Sequence, residues 1–350
     1  MYLVTGNLGY IGPILVDMIK KETGAKVIGI DNNYFNGSNI NYGYSQEMKG
    51  VNVQYYGDVR DTKLIESIIG QGVEHVIHLA AVSNDPMGTT FAKATNQINQ
   101  QSSIDIAKIC AEKKVSSFVY ASSCSVYGAG STYPRTEKDE VNPLTDYAHS
   151  KINTEKELGI IDLKETKVTC LRFATACGFS PNLRLDLVLN DFVFNAMNQK
   201  CIKILSDGSP WRPLIDVEDM ARLLIWATKR SKGNKLEIVN AGSDTWNYQV
   251  GELAQAVVES FNDDQIDLEI NANAAPDKRS YKVSFEKLNN LCEKEYLPKV
   301  TLNQSIEKLK TGIEESLDII QKRDVEHLIR LKGLKRLIST NKVNETLNWN

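Results

Sequence analysis

The feature that most restricts the fold of this 350-residue chain is a regular alternation of two kinds of segment in its first half. Short apolar, β-branched runs bounded by turn residues are typical of buried strands, and helical stretches separate them. In chain order the runs are YLVTG, KVIGID, VQYYGDV, HVIHLAAV, SFVYASS and KVTCLRF. This alternation predicts an α/β fold with a parallel sheet covered by helices on both faces. Ligands of such sheets bind at the carboxyl ends of the strands.

Composition narrows the class of protein. The hydrophobic share of 42% and the charged share of 24% are those of a soluble globular chain. The net charge of -3 argues against a nucleic-acid partner. The six cysteines form no CxxC pair and have no zinc-like spacing, so we expect reduced thiols, no metal site and a cytoplasmic location. Because the first strand begins close to Met1, we expect no signal peptide. Because no apolar run is long enough, we expect no membrane span.

The first motif is TGNLGYIG, in which Gly6, Gly9 and Gly12 follow a strand and open a helix. Glycines there let the backbone turn tightly and approach a pyrophosphate, whose charge the helix N-terminus stabilises. The next strand ends in GID, which places Asp31 where a carboxylate bonds adenosine ribose hydroxyls. A carboxylate there repels a 2′-phosphate, so NAD is favoured over NADP. A solvated loop aspartate is the alternative interpretation.

Two further strand ends complete this pattern. The segment GDVRD offers Asp58 and Val59 as residues that could hold the adenine. The segment HLAAV ends its strand in small residues, which lets the backbone run close to a ligand. His75 and His78, three residues apart on a strand, point to opposite faces and are not expected to share a metal.

The second motif is DYAHSK, in which Tyr147 and Lys151 are spaced to share one face of a helix. A free tyrosine has a pKa of about 10, and a neighbouring ammonium group favours the phenolate and lowers that value. Tyr147 could then serve as a general acid and base. The segment ASSCSVYG follows a strand, and its hydroxyl residues form either an ordinary turn or half of an active site.

In order and spacing of these motifs, residues 1–310 resemble the extended short-chain dehydrogenase/reductase family of nucleotide-sugar epimerases and dehydratases. The resemblance rests on TGNLGYIG, Asp31, GDVRD, HLAA, Asn99, SSCSVYG and YAHSK. It implies a Rossmann-type doubly wound parallel sheet with a smaller α/β substrate-binding domain, bound NAD, and a nucleotide-diphosphate sugar as substrate. It also implies a homodimer built on the helix that bears Tyr147.

The resemblance assigns a role to each matched position. Tyr147 is the acid and base, Lys151 holds the nicotinamide ribose and tunes Tyr147, and Ser123 bonds the reacting sugar oxygen. The cofactor-binding positions are Gly6, Gly9, Tyr10, Ile11, Gly12, Asp31, Asn32, Asp58, Val59, Leu79, Ala80, Ala81, Asn99, Tyr147 and Lys151. The substrate-binding positions are Ser123, Cys124, Thr175, Arg212 and Arg279.

Residues after the catalytic hydroxyl narrow the reaction. Sugar 4,6-dehydratases of the family carry Asp-Glu there, whereas this chain has Cys124 and Ser125, which do not replace carboxylic acids. The resemblance therefore favours reversible oxidation at C4 and an NAD-dependent 4-epimerase. A reductase, another dehydrogenase or a dehydratase of the same family are the alternatives, and a non-catalytic dinucleotide-binding protein ranks last.

Segments of the second half resemble the family's substrate-binding parts with two departures. Thr175 lies where many members have an asparagine near the phosphates, and Asp216 replaces a histidine in WRPLIDVEDMA. Arg212 and Arg279 would bind the diphosphate, for which a guanidinium fork is suited.

The domain organisation follows from the same comparison. We expect residues 1–178, with about 212–240 returning, to form the NAD-binding domain, and 179–211 with 241–310 the substrate-binding domain. Residues 311–350 form a helical C-terminal extension, and its segment VEHLIRLKGLKRLI is basic and amphipathic. Packing of the apolar stripe on the body or a second subunit is favoured over membrane or calmodulin-type binding, and Trp349 could anchor it.

Overall fold

The computed structural model of the chain describes residues 1–40, 51–128, 133–261, 265–271, 274, 279–322 and 324–350. A seven-stranded parallel sheet forms its centre, in the order β10-β6-β5-β4-β1-β2-β3. Its strands are β1 (Tyr2–Thr5), β2 (Val27–Asp31), β3 (Val53–Tyr56), β4 (His75–His78), β5 (Ser117–Ser123), β6 (Lys167–Phe173) and β10 (Leu236–Ala241). The strand order reverses direction between β1 and β4, which confirms the predicted Rossmann-type doubly wound sheet.

Two small sheets lie beside the carboxyl end of the main one. Strands β7 (Thr175–Cys177), β9 (Trp211–Asp216) and β11 (Asn247–Gln249) form the first, and β8 (Cys201–Ile204) with β12 (Asp267–Ile270) form the second. Within residues 212–240, the helix Val217–Lys229 packs on the main sheet and β10 is one of its strands, whereas β9 belongs to the first small sheet.

Helices cover both faces of the main sheet. In chain order they are α1 (Gly12–Thr23), α2 (Thr62–Ile69), α3 (Asp85–Thr90), α4 (Ala92–Thr95), α5 (Ser102–Glu112), α6 (Asp146–Leu158), α7 (Val188–Gln199), α8 (Val217–Lys229), α9 (Val250–Ser260), α10 (Glu286–Leu291), α11 (Leu302–Glu315), α12 (Leu317–Lys322) and α13 (Arg330–Ser339). A π-helical stretch, Asn96–Gln101, joins α4 to α5. No helix within the described ranges is long and apolar enough to cross a bilayer.

The apolar core has one layer on each face of the main sheet and a third under the small sheets. Leu15 and Ile19 of α1 pack with Trp226 of α8 on one face. Ile65 of α2 and Ile106 of α5 pack on the other. Leu15 and Ile19 are four residues apart, which places both side chains on one side of α1.

Asp216, at the position where the family pattern has a histidine, has a local structural task. It ends β9 and caps α8, because its carboxylate accepts a hydrogen bond from the Glu218 N–H at 2.8 Å. The Ser305 hydroxyl donates to the same carboxylate at 2.6 Å and ties α11 to this corner. Aspartate is among the preferred residues at a helix N-cap.

The C-terminal extension packs on the main body. Leu334 of α13, Val343 and Leu347 are buried in the same apolar cluster as Ile30 of β2. The predicted apolar stripe therefore faces this chain itself.

Helix α6 is fixed to the sheet by a buried ion pair. The Arg172 guanidinium of β6 donates to both carboxylate oxygens of Glu155 at 2.6–3.1 Å, and the Ser122 hydroxyl donates to the same carboxylate at 2.5 Å. Both charged side chains are almost fully buried. Breaking such a pair by removing one partner leaves an uncompensated buried charge.

We therefore expect Arg172→Met to lower the free energy of unfolding by about 3–5 kcal/mol, measured by denaturant titration followed by circular dichroism. Lys156→Met, on the exposed face of the same helix, is the matched control and should change it by less than about 0.5 kcal/mol. Adding Glu155→Leu to Arg172→Met should recover part of the loss, because the unpaired buried carboxylate is then removed. A loss below about 1 kcal/mol for the single variant would contradict this account.

Candidate active site

One cavity of about 720 Å³ lies at the carboxyl ends of the main-sheet strands. It brings together most of the residues that the sequence predicted for cofactor and substrate. Those in its wall are Gly6, Gly9, Tyr10, Ile11, Asp31, Asn32, Val59, Leu79, Ala80, Ala81, Ser123, Tyr147, Lys151, Thr175, Arg212 and Arg279. Four others lie behind the wall: Gly12, Asp58, Asn99 and Cys124.

The glycine loop forms one end of the cavity. Gly6 has φ +71°, and a Cβ added there would come within 2.7 Å of the Ala80 backbone nitrogen. A Cβ on Gly12 would come within 2.2 Å of the Asn7 carbonyl oxygen. Helix α1 then begins without a side-chain cap and without an acidic residue in its first turn. Such a helix start, at the wall of a cavity, could hold the diphosphate of a dinucleotide.

Asp31 lies at the end of β2 beside this loop. Its carboxylate accepts the N–H of Asn33 at 2.7 Å and that of Leu8 at 3.1 Å, and lone pairs remain for a ribose hydroxyl. Burial raises the pKa of Asp31 above its usual value, and the two N–H donors oppose that shift. The carboxylate is therefore held by the loop in a fixed orientation.

Asp58 lies behind the cavity wall and is bonded to Asn32, which lines it. Its carboxylate accepts hydrogen bonds from Arg60 at 2.6 Å and from Asn32 at 3.0 Å. Burial acts to raise its pKa, but the Arg60 contacts outweigh this and the pKa of Asp58 lies below its usual value. Its place in the structure is to orient Asn32, which lines the cavity, while Val59 provides the apolar wall.

The centre of the cavity holds Ser123, Tyr147 and Lys151. Ser123 ends β5, and its hydroxyl accepts the Ser125 N–H at 3.2 Å and hydrogen-bonds to Tyr147. Tyr147 lies in the first turn of α6. Lys151, one turn later, donates to the Ala121 carbonyl at 2.7 Å, and its Nζ is 5.5 Å from the Tyr147 ring centroid.

Burial is the main cause of the pKa shifts of Tyr147 and Lys151. It raises the pKa of Tyr147 to about 12, against the Ser123 hydrogen bond and the Arg184 charge, which lower it. Burial also lowers the pKa of Lys151 to about 7, against the charge of Glu155. The sequence predicted that Lys151 lowers the pKa of Tyr147. In the structure the main groups that lower the pKa of Tyr147 are Ser123 and Arg184, and the main causes that raise it are burial, Asp85 and Cys124.

Asn99 and His78 support the site from behind. The Asn99 amide accepts the Val82 N–H at 2.8 Å and donates to its carbonyl at 2.9 Å, which fixes the chain after β4. Asn99 belongs to the π-helical stretch, a distortion often found at functional sites. His78 bonds to Thr5 at 2.7 Å and to Ser103 at 2.9 Å, and burial lowers its pKa to about 3. It is a neutral structural link.

Cys124 does not make the predicted substrate contact. Its side chain is buried in the core, and the thiol donates to the Arg172 carbonyl at 3.0 Å. Burial raises the pKa of this thiol. The short helical turn that follows β5 directs Ser123 to the cavity and the next side chain away from it.

The other end of the cavity is lined by arginines. The Arg279 guanidinium is 2.9 Å from the Asp85 carboxylate, and Arg212 donates to the Trp211 carbonyl at 2.9 Å. Thr175 lies in β7 at the same end. This end could hold a diphosphate, whereas Asp31 lies at the other.

The sequence did not single out two buried arginines of the cavity, Arg184 and Arg330. Arg184 pairs with Asp186 at 2.9 Å and donates to the Ser83 hydroxyl at 3.1 Å. The alternation Arg-x-Asp in an extended segment was the available signal for that pair. Arg330 belongs to the C-terminal extension, and no local pattern indicates that it reaches the cavity.

The chain is similar to known proteins in sequence and in fold. Residues 2–242 match the model of the NAD dependent epimerase/dehydratase family. A putative UDP-glucose 4-epimerase of Methanocaldococcus jannaschii is 30% identical over 69% of this chain and 77% of its own length. The UDP-glucose 4-epimerase of Lactobacillus helveticus is 27% identical over 69% and 76%.

Among solved structures, MoeE5 in complex with UDP-glucose and NAD has a TM-score of 0.75 at 23% identity, covering 90% of this chain and 99% of its own. This likeness concerns the fold. The family model covers more than half of the chain, including the glycine loop, Ser123, Tyr147 and Lys151. The chain therefore belongs to the NAD-dependent epimerase/dehydratase family, and its cofactor is NAD.

Proposed function

We propose that this protein epimerises a nucleotide-diphosphate sugar at C4 through a transient keto-sugar. One observation carries the proposal: Ser123, Tyr147 and Lys151 line one cavity together with Asp31 and the arginines Arg212 and Arg279. A sugar whose diphosphate binds at the arginine end would present its hydroxyls to that pair. The names of the relatives make UDP-sugars the first candidates.

The cofactor-binding residues proposed here fit a dinucleotide. The uncapped start of α1 and the close-packed glycine loop suit a diphosphate, and Asp31 suits ribose hydroxyls. Lys151, with its ammonium near Tyr147, would hold the second ribose. NAD, when bound, accepts the C4 hydride and can return it to the other face of the sugar. The carboxylate of Asp31 disfavours a 2′-phosphate and therefore an NADPH-driven reductase.

Tyr147 carries the proton in this scheme. Its phenolate oxygen takes the proton of the C4 hydroxyl as the C4 hydride leaves, so that a C=O bond replaces C–H and O–H. After the keto-sugar turns over, the same hydroxyl returns the proton. Ser123 holds the reacting oxygen within hydrogen-bond reach of Tyr147, the geometry that general acid–base catalysis requires.

The dehydratase alternative lacks its acid and base at the expected positions. Cys124 is a buried thiol bonded to a backbone carbonyl. Ser125 lines the cavity, but its hydroxyl does not titrate in the accessible pH range. Elimination of water from the sugar needs a proton donor and a base in addition to Tyr147, so the epimerase reaction is favoured.

We expect the purified protein, incubated in D2O with UDP-, GDP-, CDP- or dTDP-sugars and no added cofactor, to convert one of them to its C4 epimer. Proton NMR should show new sugar signals without deuterium uptake, because the hydride stays on the cofactor between the two half-reactions. Mass spectrometry should show a product of unchanged mass. Tyr147→Phe should retain bound NAD and lose this conversion by about 100-fold or more.

Other outcomes would contradict the proposal in distinct ways. Deuterium uptake with loss of water would identify a dehydratase. Turnover only with added NADH and a keto-sugar would identify a reductase. Unchanged turnover by the Tyr147→Phe enzyme would remove Tyr147 from the mechanism.

Ser123→Ala should lower kcat/KM. The Ser123 hydrogen bond lowers the pKa of Tyr147, so its removal raises that pKa and leaves less phenolate at any pH below it. Activity at pH 7 should fall by about 10-fold to 100-fold, and the loss should persist at every accessible pH because the pKa of Tyr147 is about 12. Ser123→Thr retains the hydroxyl and should restore activity. Wild-type activity of the Ser123→Ala enzyme across the pH range would contradict this role.

We further propose, from the family resemblance, that two chains associate through the helix that bears Tyr147. Light scattering at micromolar concentration should give about twice the chain mass of 39.1 kDa. The side chain of His149 is exposed on that helix, so an interface there would be sensitive to His149→Glu. A monomer at that concentration would contradict the proposal.

A further inference from the structure

Residues 324–350, here the C-terminal strap, lie against the Asp31 end of the cavity. Backbone carbonyls of Thr346 and Leu347 accept hydrogen bonds from Arg60 at 2.8 and 2.9 Å. The Tyr34 hydroxyl also donates to the Leu347 carbonyl. The strap thus binds the residues that follow β2 and β3, which form this end of the site.

Trp349 holds the far end of the strap. Its indole N–H donates to the Asn32 carbonyl at 2.9 Å, and its ring lies 5.6 Å from the Tyr34 ring. The strap also supplies three side chains to the cavity wall, those of Arg330, Leu334 and Leu347. They line the same cavity as Asp31 and Val59, and all three are buried.

The environment of Arg330 is unusual for a charged group. Its side chain is 2% exposed, donates to the Ser38 hydroxyl at 2.8 Å, and lies over the Phe35 ring at 4.1 Å. Among the residues that the structure describes, no carboxylate lies within ion-pair distance of it. The two nearby acids are engaged elsewhere, since Asp186 pairs with Arg184 and Asp31 accepts backbone N–H groups.

A buried cation without a counter-charge is costly. Burial, followed by the like charge of Arg184, lowers the pKa of Arg330 to about 9, so the guanidinium remains charged at neutral pH. The site therefore has positive charge to offer an anionic ligand. A guanidinium fork binds phosphate oxygens through two parallel hydrogen bonds.

Arg330 lies close to the glycine loop. Its guanidinium contacts the Asn182 carbonyl at 3.5 Å, and the Asn182 side chain donates to the Leu8 carbonyl of the glycine loop. One residue, Asn182, thus separates Arg330 from that loop. The charge of Arg330 also acts to lower the pKa of Asp31. The proposed substrate arginines, Arg212 and Arg279, make their contacts with Trp211 and Asp85.

We propose that the C-terminal strap is part of the NAD site, with Arg330 binding the cofactor diphosphate and Leu334 and Leu347 covering the adenosine half. The strap then slows release of NAD, because it must detach from Tyr34 and Arg60 before the adenosine end opens. This inference concerns the cofactor alone and stands whether the sugar is epimerised, dehydrated or reduced.

The test compares Arg330→Gln with Arg336→Gln, a matched variant on the exposed face of the same helix. Extraction of NAD after gel filtration gives the cofactor content per chain, and repeated gel filtration gives its rate of loss. Arg330→Gln should lose NAD at least about tenfold faster than wild type, and Arg336→Gln at the wild-type rate. Circular dichroism confirms that each variant is folded.

Calorimetric titration of NAD-free protein assigns the contact. Arg330→Gln should weaken ADP binding by about tenfold or more and leave adenosine binding within twofold. Equal NAD loss by both variants, or ADP affinity unchanged, would overturn the proposal. A weakening confined to UDP would place Arg330 at the substrate diphosphate and would overturn it as well.

A second variant tests the strap if Arg330→Gln does not fold. Trp349 is 47% exposed, so Trp349→Ala removes its bond to Asn32 and its contact with Tyr34 at little cost to the core. It should lose NAD several-fold faster than wild type. NAD bound to wild type should also protect residues 324–350 from limited proteolysis, and protection unchanged by NAD would contradict a role in holding the cofactor.

Discussion

The ion pair between Glu155 and Arg172 determines where helix α6 lies on the sheet. Glu155 is one turn beyond Lys151, which in turn is one turn beyond Tyr147, so all three project from one side of the helix. Arg172 holds Glu155, and Lys151 donates a hydrogen bond to the Ala121 carbonyl. These two contacts place Tyr147 against the end of β5. The same carboxylate offsets the burial of the Lys151 ammonium. Position and charge of the candidate site thus depend on one buried contact.

Local patterns predicted the parts of the site that belong to single elements. Tyr147 and Lys151 share one helix, and Ser123 and Asp31 end strands of a parallel sheet, so their meeting at one edge follows from the topology. The direction of the pKa shift of Tyr147 did not follow, because burial is a property of the packed molecule. Cys124 was misplaced for a related reason: the sequence does not show which side chain a tight turn directs inward.

The position of Arg330 in the cavity could not be predicted from the segment that contains it. Its neighbourhood in the sequence indicates an amphipathic basic helix, and the structure has a helix there that packs on the body. The buried arginine on that helix makes its contacts with Ser38 and Phe35, almost 300 positions earlier. Only a long-range docking of the extension creates that pocket, and neither the spacing nor the type of its residues encodes it.

The strap also imposes an order on biosynthesis. The bond between Tyr34 and Leu347 joins residues 313 positions apart. While a ribosome makes the chain, the strands of the main sheet emerge and can pair long before this last contact exists. Until Leu347 has been made, a nascent chain can therefore have a formed sheet whose Asp31 end is not yet covered by the strap.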